Sequence, residues 1–221
     1  MATSLPVRIV GLGGGLREGS YSLAGLRLAL AAAEAAGAET RLLDLNQLPL
    51  PLYRPDLKSP RDYGPEAAAP IERLLAGARW ADGMLWASPS YHGSLSGAVK
   101  NALDFLQFLA KDDPTFLYGK VVGAISAGAG TIGAVNVVAQ LTQIAQALRA
   151  VPVPLLVPIT AAHKQFADGK LIDAQTSQRL ATLGKETVDI ARSLLAARDD
   201  GTRALPAAAG AVAAAGSAGV D

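Results

Sequence analysis

The chain has 221 residues, half of them hydrophobic, with twenty basic residues against nineteen acidic ones and no cysteine. That length and apolar content suit one well-filled domain, and the even charge offers no single-sign field to nucleic acid or an anionic membrane. Without thiols there are no disulfides, thiolate metal sites, iron–sulfur clusters or thiol nucleophile, and two histidines, His92 and His163, are too few for a usual zinc site. Redox or transfer chemistry must therefore rest on a bound organic molecule, hydroxyls or carboxylates.

The first ten residues carry Arg8 inside an apolar patch and lack the apolar core of a signal peptide, so the expectation is a soluble, cytoplasmic protein. Val7–Leu12 reads as a strand, followed by the glycine-rich stretch Gly11–Ser22. Ser20 or Ser22 then caps an alanine- and leucine-rich helix that ends at Gly37. Strand, glycine loop and serine-capped helix form the physical recipe for a phosphate site: glycines bring the backbone close, helix-end amides face the anion, and Arg17 adds a planar cationic fork. A dinucleotide fingerprint would need glycine where Leu16 stands, and Asp44 comes too late for its acidic residue. A Walker A loop would end in Gly-Lys-Ser/Thr, whereas this one ends in Gly-Ser-Tyr. A terminal monophosphate, as on a mononucleotide such as FMN, fits better, although an ordinary glycine-rich turn has the same composition.

Glu39–Leu45 reads as the second strand. Residues 46–64, rich in proline and carrying Tyr53, Arg54 and Tyr63, form a long loop suited to covering a ligand, reaching a partner subunit, or serving as a solvated linker. Pro65–Trp80 is a second helix, and Asp82–Ser88 a buried third strand ending in the polar turn Pro89–Ser94. Ser94 opens a helix over Leu95–Leu109 with one broad apolar arc, on whose polar side Phe108 stands alone. Lys120–Ser126 is the fourth strand, with the small-residue turn 127–131 after it and the apolar helix Ile132–Ala150 next. Val151–Ile159 is the fifth strand, placed at an edge by Pro152 and Pro154. Leu171–Ala197 is the last helix, and the alanine- and glycine-rich residues 201–221 read as a disordered tail after a single domain over 1–200. Alternating strands and helices imply an α/β fold with a doubly wound five-stranded parallel sheet in order 2-1-3-4-5, layered α/β/α. In that order the turns 13–22, 89–94 and 126–131 meet at the switch point between strands 1 and 3, the place where open α/β sheets bind ligands.

The segment Ser88-Pro-Ser-Tyr-His-Gly-Ser-Leu-Ser-Gly-Ala-Val-Lys-Asn-Ala-Leu-Asp-Phe-Leu106 resembles the signature of the NADPH-dependent FMN reductase family, usually Ser-Pro-Glu-Tyr-Asn-Gly-Ser…Gly…Leu-Lys-Asn-Ala-Ile-Asp-Trp-Leu. Gly14–Ser22 is similar to that family's Gly-Ser-Leu-Arg-x-x-Ser-x-Asn phosphate loop, and Ser126–Gly130 to its third loop, so the likeness runs from Val7 to Ile159. The resemblance implies a flavodoxin-like fold, bound FMN, and hydride transfer to flavin N5 from NADPH or NADH. It implies a phosphate held by Gly15, Leu16, Arg17, Ser20 and Ser22, and a ring lined by Pro89, Ser90, Tyr91, His92 and Gly93 with Ser126, Gly128 and Gly130 beside it. No metal and no catalytic side chain beyond the flavin is required. Gly15 and Ser22 replace a serine and an asparagine of the family loop, which weakens the hold on phosphate. Ser90 and His92 stand for its Glu and Asn. The weakened hold favours an exchangeable flavin passed to a flavin-dependent monooxygenase. The alternatives are a tightly bound flavin reducing quinones, azo or nitro compounds or metal oxyanions, and a flavodoxin-type electron carrier, which near-neutral charge disfavours. Family likeness and the apolar third and fourth helices imply a homodimer or homotetramer. A serine hydrolase is disfavoured, because neither Gly93–Gly97 nor Ser126 forms a nucleophile elbow.

Overall fold

The computed structural model describes residues 6–199, so the expected tail 201–221 lies outside the described residues. Five parallel strands form the sheet: β1 (Arg8–Gly13), β2 (Glu39–Asp44), β3 (Gly83–Tyr91), β5 (Val121–Ala127) and β6 (Val151–Ile159), in the order β2-β1-β3-β5-β6. This is the expected winding, with proline-bearing β6 at an edge. Helices α1 (Tyr21–Ala35) and α6 (Ala174–Asp199) cover one face, and α2 (Pro65–Trp80), α3 (Gly97–Asp104) and α4 (Thr131–Ala147) the other. The strands read as near-continuous apolar runs because both faces are buried, and successive side chains alternate between the two cores. Met84, Trp86, Val122 and Ala124 face α2–α4, while Leu85, Ala87, Val121 and Ile125 face α1 and α6. No helix among the described residues is long and apolar enough to cross a membrane.

Three expectations need correction. The helix after β3 does not start at Ser94. Instead Ser94–Leu95 (β4) folds back antiparallel on Ser90–Tyr91, and Ser96 caps α3 by accepting the Val99 amide at 3.3 Å. His92 and Gly93 both have positive φ, 52° and 79°, the conformation that makes a two-residue hairpin follow the strand twist. Second, α3 gives way after Asp104 to a 3₁₀ turn over Phe105–Leu109. Side chains three apart eclipse in a 3₁₀ turn, so Phe108 is not a lone exposed aromatic. It joins Phe105, Tyr53 and Tyr63 in a cluster with ring centroids 5.4–6.4 Å apart. The proline-rich loop is tied to α3 through this cluster and through Asn101, which accepts the Tyr53 amide and donates to the Pro51 carbonyl. Third, the last helix begins at Ala174, where the Asp173 carboxylate accepts the Thr176 amide at 2.7 Å. Before it lie a short helix, α5 (Ala162–Gln165), and a hairpin of β7 (Phe166–Ala167) and β8 (Lys170–Leu171), none of them expected from the sequence pattern.

At the amino-terminal edge of the sheet, ion pairs and side-chain caps join the elements. Arg8 meets Asp82 with two guanidinium nitrogens at 2.8 and 3.1 Å and with its amide at 2.9 Å. Burial pushes the Asp82 carboxyl up, but these bonds outweigh it and hold the group below the usual carboxylate range. Lys120 donates to the Arg79 and Ala81 carbonyls at the end of α2, supplying partners that the helix cannot. Burial lowers its ammonium to about 8 despite the attraction of Asp82.

Candidate functional site

At the opposite edge the turns after β1, β3 and β5 come together around a cavity of about 430 Å³. Its walls are Gly15, Arg17, Ser20, Tyr21 and Ser22 from the first turn, Pro89, Ser90 and Tyr91 from the second, and Ala127–Ala129 from the third. Ala162 and His163 close the remaining side. Among the described residues no carboxylate lines it, and its volume is within the range of small-molecule sites.

The first turn leaves β1 where the backbone of β3 is very close. Gly13 has φ of 133°, and a Cβ there would lie 2.0 Å from the Ala87 carbonyl oxygen. The Gly14 amide then donates to that carbonyl at 3.0 Å. The Ser20 hydroxyl organises the rest of the turn. It accepts the Gly15 amide at 2.9 Å and the Leu23 amide at 3.4 Å, and its oxygen lies 3.0 Å from the buried Ser22 hydroxyl. A side chain at position 15 would meet that hydroxyl, with Cβ 2.9 Å from Oγ, so Gly15 and Ser20 share one space. From below, Asn46 donates to the Gly15 carbonyl at 3.0 Å and is itself held by Asp44. Glu18 and Gly19 form a hydrogen-bonded turn ahead of Ser20, and the Tyr21 and Ser22 amides open the first turn of α1, where a helix supplies no acceptor of its own. They stand at the positive end of α1, where such groups attract anions.

The second wall is the β3–β4 hairpin, held onto α4 by Gln140, whose side-chain oxygen accepts the Ser94 hydroxyl at 2.9 Å and the Leu95 amide at 3.1 Å. Ser90 fits against α4 only because position 133 is glycine; a Cβ there would lie 2.6 Å from the Ser90 hydroxyl. The Ser96 amide is taken by the Ser88 hydroxyl at 2.9 Å, so the amino end of α3 is occupied by its own cap and not aimed at the cavity. In the third wall the Gly128 amide donates to the Ile159 carbonyl and its carbonyl accepts the Ala162 amide, both at 3.0 Å. That exchange ties the β5 turn to the segment after β6.

Of the residues expected here, the cavity gathers Gly15, Arg17, Ser20, Ser22, Pro89, Ser90, Tyr91 and Gly128. Leu16, His92, Gly93, Ser126 and Gly130 are not in its lining. Leu16 points out of the turn beside Leu45, Leu48 and Ala98. His92 and Gly93 form the hairpin tip, set there by backbone twist. Ser126 is fully buried and donates to the Ala134 carbonyl at 2.6 Å, and Gly130 is the residue before α4. Tyr21, Ala127, Ala129, Ala162 and His163 were not foreseen. The Asp168-Gly169 pair between Phe166 and Leu171 is a hairpin signal that would have revealed the chain doubling back here.

The model of a family described as NADPH-dependent FMN reductase matches residues 7–164. The chain is 30% identical to the NADPH-dependent FMN reductase ArsH of Shigella flexneri, over 83% of this chain and 68% of that one. It is 32% identical to the NAD(P)H:quinone oxidoreductase of Solanum tuberosum, over 81% and 90%. Its fold superposes with a TM-score of 0.63 on the flavoenzyme NAD(P)H:(acceptor) oxidoreductase FerB of Paracoccus denitrificans, at 25% identity, covering 85% of this chain and 97% of that one. With a flavodoxin-like sheet and three small-residue turns around one cavity, the chain belongs to the NADPH-dependent FMN reductase family, oxidoreductases that work with FMN and a nicotinamide.

Proposed function

We propose that this chain is an NAD(P)H-dependent FMN reductase that holds FMN in the cavity between the three turns. The phosphate is held by Arg17, Ser20, Ser22 and the amides of the first turn, and the ring lies against Pro89, Ser90, Tyr91 and Gly128. The observation that carries this reading is that Arg17, Ser20 and Ser22, at the amino end of α1, line one cavity with no carboxylate among its described lining residues. The residues fit the group: a polar, cationic end suits a phosphate, and a flat wall of proline, alanine and glycine suits a ring. When bound, FMN supplies the hydride chemistry.

The protein's part is to bind, orient and exclude water. Gln140 holds the hairpin wall against α4 and would thereby help to orient a bound ring. Tyr91, half exposed in the cavity lining, would shield a bound ring from water. No side chain is needed to move a proton in the hydride step.

The Ser20 and Ser22 hydroxyls are already engaged with each other and with the turn, leaving fewer groups for phosphate. This supports an exchangeable flavin, reduced here and passed to a flavin-dependent monooxygenase. A second reading, reduction of a quinone on a retained flavin, is favoured by relatives that carry quinone reductase names. A homodimer or homotetramer is supported by the exposed Ile132 and Val135 on α4, and a cytoplasmic location goes with use of the nicotinamide pool. The test is NADPH oxidation by the purified protein with and without added FMN, after gel filtration. Activity that needs added FMN and saturates with it supports the exchange reading. Activity that persists without it and needs a quinone supports the second. No flavin binding under any condition overturns both.

A further inference from the structure

One wall of the cavity comes from a part of the chain to which the flavin motifs assign no role. After β6 the backbone turns at Ala161, whose φ of 46° is left-handed, and doubles back over the site. Two contacts pin this arm. At one end the Ala162 amide donates to the Gly128 carbonyl at 3.0 Å. At the other the Phe166 ring stacks on Tyr21 in the first turn of α1, with centroids 4.6 Å apart and planes at 26°. Gln165 stiffens the arm by donating to the Thr160 carbonyl at 2.7 Å. Tyr21 carries the Arg17 guanidinium on its ring, 5.0 Å from the centroid, a contact that orients the planar cation.

His163 lies between the two pins and lines the same cavity as Arg17, Ser20 and Ser22. Among the described lining residues, it and Arg17 alone carry side-chain nitrogen donors, and no carboxylate competes for either. An imidazole always has an N–H to donate, in either neutral tautomer. We propose that His163 is a second donor to the ligand's terminal phosphate, acting with Arg17, and that the Phe166–Tyr21 stack positions both. This inference rests on the FMN reading above. Its consequence is selective: the contact favours the phosphorylated flavin and is indifferent to the ring.

The experiment is a titration of flavin-free protein with FMN and, separately, with riboflavin, followed by quenching of flavin fluorescence. Wild type, His163→Leu, His163→Gln and Phe166→Leu are compared. His163→Leu is expected to weaken FMN binding about fivefold and change riboflavin binding less than about twofold. His163→Gln, which keeps an N–H donor, should recover much of that loss. Phe166→Leu should lower the preference for FMN with His163 and Arg17 both in place. An unchanged FMN-to-riboflavin preference in His163→Leu overturns the proposal and leaves the FMN reading standing, and so does an equal loss for both flavins. Wild-type protein that binds neither flavin overturns the FMN reading itself. His163 is exposed, and a thermal melt of each variant separates a lost contact from a lost fold.

Discussion

The two edges of the sheet are built from opposite materials. At the amino-terminal edge, charged side chains tie strands to helices: Arg8 to Asp82, Lys120 to the end of α2, Arg198 to the Gly119 carbonyl. At the carboxyl edge the turns are rich in glycine, serine and alanine, and their ties are backbone amides, short hydroxyls and the amide side chains of Asn46 and Gln140. The difference has a physical cause. Carbonyls and amides left over at the end of a packed element need partners. Long side chains supply them where nothing else must fit, and small ones where room for a ligand is needed. One edge therefore carries stability, and the other carries the site.

Gly13→Ala would break the contrast most severely, because it alters strand packing at the root of the site. The added methyl has nowhere to go against Ala87, and φ is unfavourable; a loss of about 4 kcal/mol in chemical denaturation is expected, together with loss of flavin binding. Lys120 gives the next effect. Its native value near 8 lies below the ordinary 10.5, so between those values the unfolded chain binds more protons and stability rises with pH, by roughly 3 kcal/mol in all. Lys120→Met should flatten that rise in melts taken from pH 7 to 10.

Asp82→Asn should cost about 2 kcal/mol, with unchanged flavin affinity in the folded fraction, since only the far edge is touched. Because the native carboxyl is lowered, its stabilisation is complete above about pH 4 and is lost as pH falls through the native value. The difference between wild type and variant should therefore shrink in acid. Arg17→Gln is the mirror image: about tenfold weaker FMN binding, or about 1.4 kcal/mol, with an unchanged melting temperature. The smallest effect is a gain. His92 has φ of 52° in the hairpin tip, a conformation asparagine accepts more readily. His92→Asn should stabilise by about 0.5 kcal/mol without altering flavin affinity, and a fall in affinity would return His92 to the site.

Much of this molecule was legible without coordinates, for reasons visible in particular residues. Val7–Leu12 and Asp82–Ser88 are short apolar runs ending in glycine-, serine- and proline-bearing turns, which favours buried strands over helices, and alternation with helices left one simple winding. Gly13, Arg17, Ser20 and Pro89 carry turn and anion chemistry in their types alone. The differences lie where a local pattern had two solutions. Ser94 and Ser96 are both good helix caps, and only the pairing of Ser94 and Leu95 with β3 and Gln140 selects the second. Phe108 is on the polar side of an α-helix but on the buried side of a 3₁₀ turn, and packing against Tyr53 and Tyr63 selects the latter.

The order of the five long strands and their main helices, the sheet winding and the three turns that meet arise from periodicity and residue type within short windows, and the sequence alone carries them. The fourth wall was decided only in three dimensions. His163 reaches Arg17's cavity because Phe166 stacks on Tyr21 and Ala162 bonds to Gly128. Those partners lie tens to more than a hundred residues apart in the chain, and no local pattern encodes which of two distant surfaces will touch.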